Sequence, residues 1–166
     1  SALVPAGLAS ARAVASEEEL NGGVTVVDMG AGTTSIGIAC EGHDVFAATI
    51  PIGGQHLTYD LAAALGTPVA EAERIKVLYG TMVEASSDGR DFVTYPRPNE
   101  DGAELYETTR AEVRNILRPR VESLLSQVRD RLVDSGLEAY GGGRIVLTGG
   151  AAQLVGLPMF AGRFLG

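Results

Sequence analysis

Tryptophan is absent from these 166 residues and phenylalanine occurs only four times, so the interior must be built from aliphatic side chains. A single cysteine, Cys40, excludes an internal disulfide and fits a reducing cytoplasm. Its place in an alternating apolar run makes it a small core residue rather than a nucleophile. No apolar run approaches the roughly 18 residues of a membrane-spanning helix, and the N-terminus carries no signal-peptide pattern. Positive charge is scarce: 13 Lys and Arg face 21 Asp and Glu, and a net charge of −8 argues against nonspecific nucleic acid binding. His43 lies in a turn and His56 at a helix start, neither with Cys or carboxylates at ligand spacing, so a metal centre built on them is not expected. The opening Ser1-Ala2-Leu3-Val4-Pro5 lacks an initiator Met and reads as the start of an excised fragment. With 45% hydrophobic residues the chain can still bury a sizeable core.

Among what is present, Asp28-Met29-Gly30-Ala31-Gly32-Thr33-Thr34 is the most informative stretch. The β-branched Val24-Thr25-Val26-Val27 precedes it, and the alternating Ser35-Ile36-Gly37-Ile38-Ala39-Cys40 follows, which predicts a hairpin with a glycine-rich tip. Gly30 and Gly32 are expected to adopt positive φ and let successive amides converge on an anion such as a nucleotide phosphate. The hydroxyls of Thr33 and Thr34 add donors, and Asp28 is placed to hold a hydrated divalent cation. The plainer reading is a turn and nothing more. A second cluster sits near the end, where the strand-like Arg144-Ile145-Val146-Leu147-Thr148 runs into Gly149-Gly150-Ala151 and on through Gln153-Leu154-Val155-Gly156-Leu157-Pro158. A glycine pair between strand and helix offers bare amides and a positive helix N-terminus to a ligand, or else simply packs tightly.

Periodicity supplies the rest of an α/β outline. Strands are expected near 24–29, 34–40 and 45–52, with Glu41-Gly42-His43-Asp44 as the second turn. Leu57, Leu61 and Leu65 mark a helix near 55–65 that Gly66 stops, and Thr67-Pro68 reads as N-cap and first residue of a helix ending at Gly80. Ser86-Ser87-Asp88-Gly89-Arg90 predicts a turn into a strand at 91–95, and Pro96-Arg97-Pro98-Asn99-Glu100-Asp101-Gly102 an exposed loop. From Glu107 to Asp134 a stripe of Val113, Ile116, Leu117, Val121, Leu124, Leu125, Val128 and Leu132 predicts a long helix, which Pro119 should kink or divide. On it Arg110, Arg114 and Arg118 recur every four residues as a basic ridge, and Gly141-Gly142-Gly143 reads as a flexible link.

These motifs resemble a known superfamily. Asp28–Thr34 is similar to the second phosphate loop of the actin, Hsp70 and sugar kinase proteins, and Ile145–Pro158 to their adenosine motif. Between them, Pro51-Ile52-Gly53-Gly54-Gln55-His56-Leu57-Thr58-Tyr59-Asp60-Leu61, then Ala72-Glu73-Arg74-Ile75-Lys76 and Gly80, most resemble the FtsA family of bacterial actin-like cell division proteins. The resemblance covers the chain from about residue 3 onward. MreB and the pilus protein PilM share the superfamily motifs but fit the central combination less well.

The resemblance implies an α/β, actin-like (ribonuclease H-like) ATPase domain half with an inserted smaller α/β subdomain. Residues 23–53 and 121–166 would form nucleotide-binding subdomain 2A, 54–120 the partner-binding subdomain 2B, and 1–22 an inter-domain lead-in. It implies ATP and Mg2+ as cofactors of the intact protein, with Asp28, Gly30, Gly32, Thr33, Thr34, Glu73, Lys76, Gly149, Gly150 and Ala151 around them. Asp28 would assist the metal through water. Glu73 and Lys76, three apart on one helix, are open to a second reading as an intrahelical ion pair. Residues 1–23 hold no Asp that could supply a first phosphate loop. Weak ATPase activity is therefore expected at most in the intact protein, with weak or absent ATP binding by this chain alone. The family further implies self-association into filaments, contacts with other division proteins, and binding of the FtsZ C-terminal peptide, here assigned to Arg110, Arg114 and Arg118. It places the protein in the cytoplasm at the inner face of the membrane at the division site, held there by segments absent from this chain. The alternatives are a PilM-like pilus or secretion scaffold and half of a sugar or acetate kinase-type phosphotransferase.

Overall fold

In the computed structural model, which describes residues 4–99, 102–141 and 143–166, the β-branched runs assemble into a four-stranded and a two-stranded sheet. Ser1–Leu3, Glu100–Asp101 of the expected loop and Gly142 of the glycine link lie outside the described residues. The chain divides into two compact units. Unit 1 gathers the chain up to Gly54 with Leu124–Gln153 and Leu165; unit 2 gathers Gln55–Ser123, Leu154–Phe164 and Gly166.

Unit 1 is built on β1 (Val24–Met29), β2 (Thr34–Cys40), β3 (His43–Ile50) and β6 (Ile145–Thr148), in the spatial order β3-β2-β1-β6. The first three form the expected antiparallel meander, and β6 joins β1 in parallel with Asp28 opposite Thr148. Val24, Val26, Val27 and Met29 are all buried, because β1 is central and covered on both faces. The segment expected as a plain lead-in folds into two helices, α1 (Ala6–Val14) and α2 (Glu17–Gly22). Ser16 and Glu19 close a reciprocal capping box at the start of α2. α1 lies against β2 at contact distance: a Cβ on Gly7 would meet the Ile36 carbonyl, and one on Gly37 the Gly7 carbonyl. Only glycine on both partners permits that approach.

Unit 2 contains α3 (Gly54–Leu65), α4 (Val69–Tyr79), the hairpin of β4 (Phe92–Asn99) and β5 (Gly102–Thr109), the first half of α5 (Arg110–Ser135), and most of α6 (Leu157–Leu165). Leu57, Leu61 and Leu65 are buried as their spacing predicts. Four expectations change here. Of the loop expected at 96–102, the described residues are strand, Pro96–Asn99 in β4 and Gly102 in β5: Pro96 pairs with Leu105 and Pro98 with Ala103. A two-stranded sheet has only edges, where proline forfeits no interior ladder bond. The long helix begins at Arg110 rather than Glu107, since Glu107 to Thr109 extend β5. Pro119 does not divide α5, which runs unbroken from Arg110 to Ser135. Asn115, whose carbonyl loses its helical partner to Pro119, and Pro119 itself both lie on the exposed side. At the start of α4, Pro68 rather than Thr67 occupies the cap position, and the Thr67 hydroxyl instead donates to the Pro96 carbonyl at 2.7 Å.

Candidate functional site

The parallel pairing of β1 with β6 sets the geometry of unit 1's candidate site. With Asp28 in register with Thr148, the Gly30–Thr33 turn and Gly149 leave the same edge of the sheet, at the carboxyl ends of neighbouring parallel strands. A Cβ on Gly149 would stand 2.5 Å from Asp28 Oδ1 and 2.6 Å from the Met29 carbonyl, so the two glycine clusters are in direct contact. Gly149 has φ +88°, a backbone conformation suited to glycine. Gly30 and Gly32 are not in that conformation, contrary to expectation. The Gly30 amide donates to the Thr33 carbonyl at 2.9 Å and closes the turn, while the Gly54 amide donates to the Gly30 carbonyl at 2.9 Å. Gly53 passes so near Ala31 that a Cβ would lie 2.5 Å from its carbonyl.

Within these two clusters, Gly32 and Gly150 have no such reason to be glycine. A Cβ at Gly32 or Gly150 would meet nothing within 4 Å, and neither has positive φ. Ala31, Gly32, Thr33 and Gly150 are exposed, and Ala151 is half-buried in the short 3-10 turn Gly150–Gln153. Thr34 is buried and its hydroxyl already donates to the Ile52 carbonyl at 2.8 Å, which leaves Thr33 as the exposed hydroxyl of the loop. Asp28 is half-buried; one carboxylate oxygen, Oδ2, accepts from the Ser10 hydroxyl at 2.5 Å. Ser10 was not foreseen, because its Ala-rich surroundings carry no phosphate-loop pattern. Among the described residues no group of three or more His, Cys, Asp and Glu could hold a metal ion. A lone carboxylate suits a cation that keeps its waters and arrives with phosphate oxygens.

In unit 2, Glu73 and Lys76 form the ion pair that one reading anticipated, at 2.7 Å. Lys76 Nζ also donates to Thr58 Oγ1 at 2.8 Å, and that hydroxyl donates to Glu73. Burial pushes the Glu73 carboxyl up, but Lys76 and Thr58 outweigh it and hold the pKa below the usual carboxylate value. The basic ridge resolves into three different environments. Arg114, its side chain 11% exposed, forms an ion pair with the buried Asp88 and donates to the Val83 carbonyl at 3.3 Å. Arg110 is half-buried, and both it and Arg114 keep a buried Nε without a partner among the described residues. Arg118 is about half exposed, paired with Glu122 at 2.8 Å and Glu84 at 3.5 Å, and its guanidinium lies 5.7 Å from the Phe160 ring centre. It lines a cavity of about 390 Å³ with Met82, Val83, Met159, Phe160 and Arg163. Among the described residues no helix is long and apolar enough to cross a membrane.

Comparison with known proteins places this geometry. The family model described as cell division protein FtsA matches residues 25–166. The cell division protein FtsA of Rhizobium meliloti (strain 1021) is 42% identical over 164 residues, covering 98% of this chain and 37% of that protein. That of Escherichia coli (strain K12) is 36% identical over 168 residues, covering 97% of this chain and 40% of that protein. The chain thus spans about two fifths of the length of these relatives. The structure of MreB5 of Spiroplasma citri bound to ADP superposes with a TM-score of 0.76 at 18% identity, covering 93% of this chain and 50% of that one. The fold is the actin-like α/β fold expected from the glycine motifs, and the chain belongs to the cell division protein FtsA family.

Proposed function

We propose that this chain is the 2A and 2B half of a protein that binds ATP with Mg2+, polymerises, and tethers FtsZ filaments to the inner face of the membrane at the division septum. In it Asp28, Gly30, Gly32 and Thr33 hold the phosphates from one side, with Thr34 bracing the turn, and Gly149, Gly150 and Ala151 border the adenosine. Glu73 and Lys76 are assigned to the ribose or adenine edge. Bound Mg2+ would neutralise phosphate charge, with Asp28 holding one of its waters. The observation that carries this reading is the pair of open glycines, Gly32 and Gly150, which neither backbone angle nor packing requires. Bare backbone at such points admits the close approach of an anion. The ADP named in the MreB5 structure supports the same ligand class, and the family match favours division over the pilus-scaffold and kinase alternatives.

The test is nucleotide affinity in the full-length protein. Asp28→Ala is expected to weaken Mg-ATP binding about tenfold, the scale of one charge-assisted contact, with the melting temperature within a few degrees of wild type. Unchanged affinity removes Asp28 from the metal site.

For the partner, the same reading assigns the FtsZ tail peptide to the arginine face, and Arg118 beside its apolar cavity is the member with an exposed guanidinium. A half-exposed arginine over an aromatic ring can exchange its surface carboxylates for those of a peptide at little cost. Arg118→Glu is expected to reduce affinity for a fluorescent FtsZ tail peptide roughly fivefold at moderate salt, less at high salt. Equal anisotropy titrations for variant and wild type would remove the arginine face from the interaction.

A further inference from the structure

The feature of unit 1 that neither the motifs nor the family assignment explains is the hydroxyl of Ser10 against Asp28. Ser10 sits in the middle of α1, one turn after Gly7, whose backbone touches Ile36 and Gly37 of β2. On its other side Ala11 is fully buried in a cluster with Val24, Val26 and Ala39. The helix can therefore neither slide nor rotate without breaking a contact that has no slack. That docking delivers Ser10 Oγ to Asp28 Oδ2 at 2.5 Å, while the other oxygen, Oδ1, lies on the side of Gly149. An aspartate at the end of a strand can otherwise turn about χ2, which is broad and roughly two-fold.

We propose that Ser10 is a positioning residue for the phosphate loop: its hydroxyl fixes the Asp28 carboxylate so that Oδ1 is presented, already oriented, beside Gly149 to the hydrated cation of a Mg-nucleotide. The inference rests on the nucleotide reading above and deepens it, because it makes α1 a working part of the site. Ser10 touches neither nucleotide nor metal; it removes the rotameric freedom that binding would otherwise have to remove. The chemistry requires an uncharged side chain that carries its hydroxyl on Cβ. A short donor of the alanine-sized class satisfies one lone pair and leaves the carboxylate ionised.

The experiment compares fluorescent ATP binding by full-length wild type, Ser10→Ala and Ser10→Thr, each with Mg2+ and again in excess EDTA, alongside thermal melts. Ser10→Ala is expected to lose about three- to tenfold in Mg-ATP affinity, with affinity for the metal-free nucleotide unchanged, and Ser10→Thr to recover most of the loss. Equal Mg-ATP affinity in Ser10→Ala and wild type overturns the inference. So does a loss that is the same in EDTA, or one that follows a lowered melting temperature without rescue by threonine, since either marks a packing role alone. A wild-type protein that binds no nucleotide at all overturns the nucleotide reading and this inference with it, and is distinguished from the other failures by the first titration.

Discussion

Arg114→Glu is expected to unfold unit 2 rather than to expose a binding defect, with a loss of about 3–5 kcal/mol read from chemical denaturation. Domains are held by only about 5–15 kcal/mol in total, so this is a large share. The physical reason is the partner. Asp88 is buried, its Oδ2 accepts from the Ala85 amide at 2.9 Å, and the Arg114 guanidinium completes its environment. A glutamate at 114 would set a second carboxylate against the first and remove the ion-pair partner of Asp88, leaving only the more distant charge of Arg110. The Ala85 amide, then Arg114 and Arg110, hold the Asp88 carboxyl below its usual value against the opposing effect of burial. A lowered folded value means that this contribution is fully present above the unfolded carboxylate range near 4, and is lost as pH falls through the lower folded value. Arg114→Ala should therefore move the acid-unfolding midpoint upward in pH. A melting curve for Arg114→Glu that matches wild type between pH 6 and 8 would contradict the burial of the pair.

That pair also marks where reading the sequence stops. Residues 110, 114 and 118 form a stripe because helical geometry makes them one, but geometry of one helix says nothing about the loop that meets it. The Asp88 turn comes from 26 residues away, and no local pattern pairs it with Arg114. By contrast β1, β2, α3 and the stripe of α5 were legible, since a β-branched or alternating apolar run marks the strands, helical spacing marks the helices, and each buries most of its apolar set. The lead-in at the N-terminus was not: α1 is a short helix made largely of Ala, Gly and Ser with few large apolar side chains to mark a buried face, and what seats it is a backbone contact between Gly7 and Gly37. β4 hid behind Pro96 and Pro98, because proline in a strand is disfavoured only where a neighbour needs its amide. In the candidate site the residue types were legible and their roles less so. Both threonines of the loop read as donors, yet Thr34 spends its hydroxyl inside the fold, and Gly30 and Gly32 read as positive-φ positions when that conformation belongs to Gly149.

The division of labour among these glycines leads to the second large effect. Gly149→Val is expected to cost roughly 2–5 kcal/mol, combining a β-branched residue at positive φ with a Cβ driven onto backbone. The atoms it would strike are Asp28 Oδ1, on a carboxylate that the Ser10 hydroxyl holds, and the Met29 carbonyl, which is backbone, so β1 and β6 must separate where they are in parallel register. Gly32→Ala and Gly150→Ala face open space and should leave the melting temperature within a few degrees of wild type. If those glycines exist for a phosphate, each alanine should nevertheless weaken ATP binding, because the added methyl occupies the approach that the bare backbone left open. The contrast separates tight packing from ligand approach within one site. A Gly149→Val protein as stable as wild type would show that β1 and β6 tolerate separation there, and full ATP affinity in both alanine variants would return the open glycines to the role of ordinary turn residues.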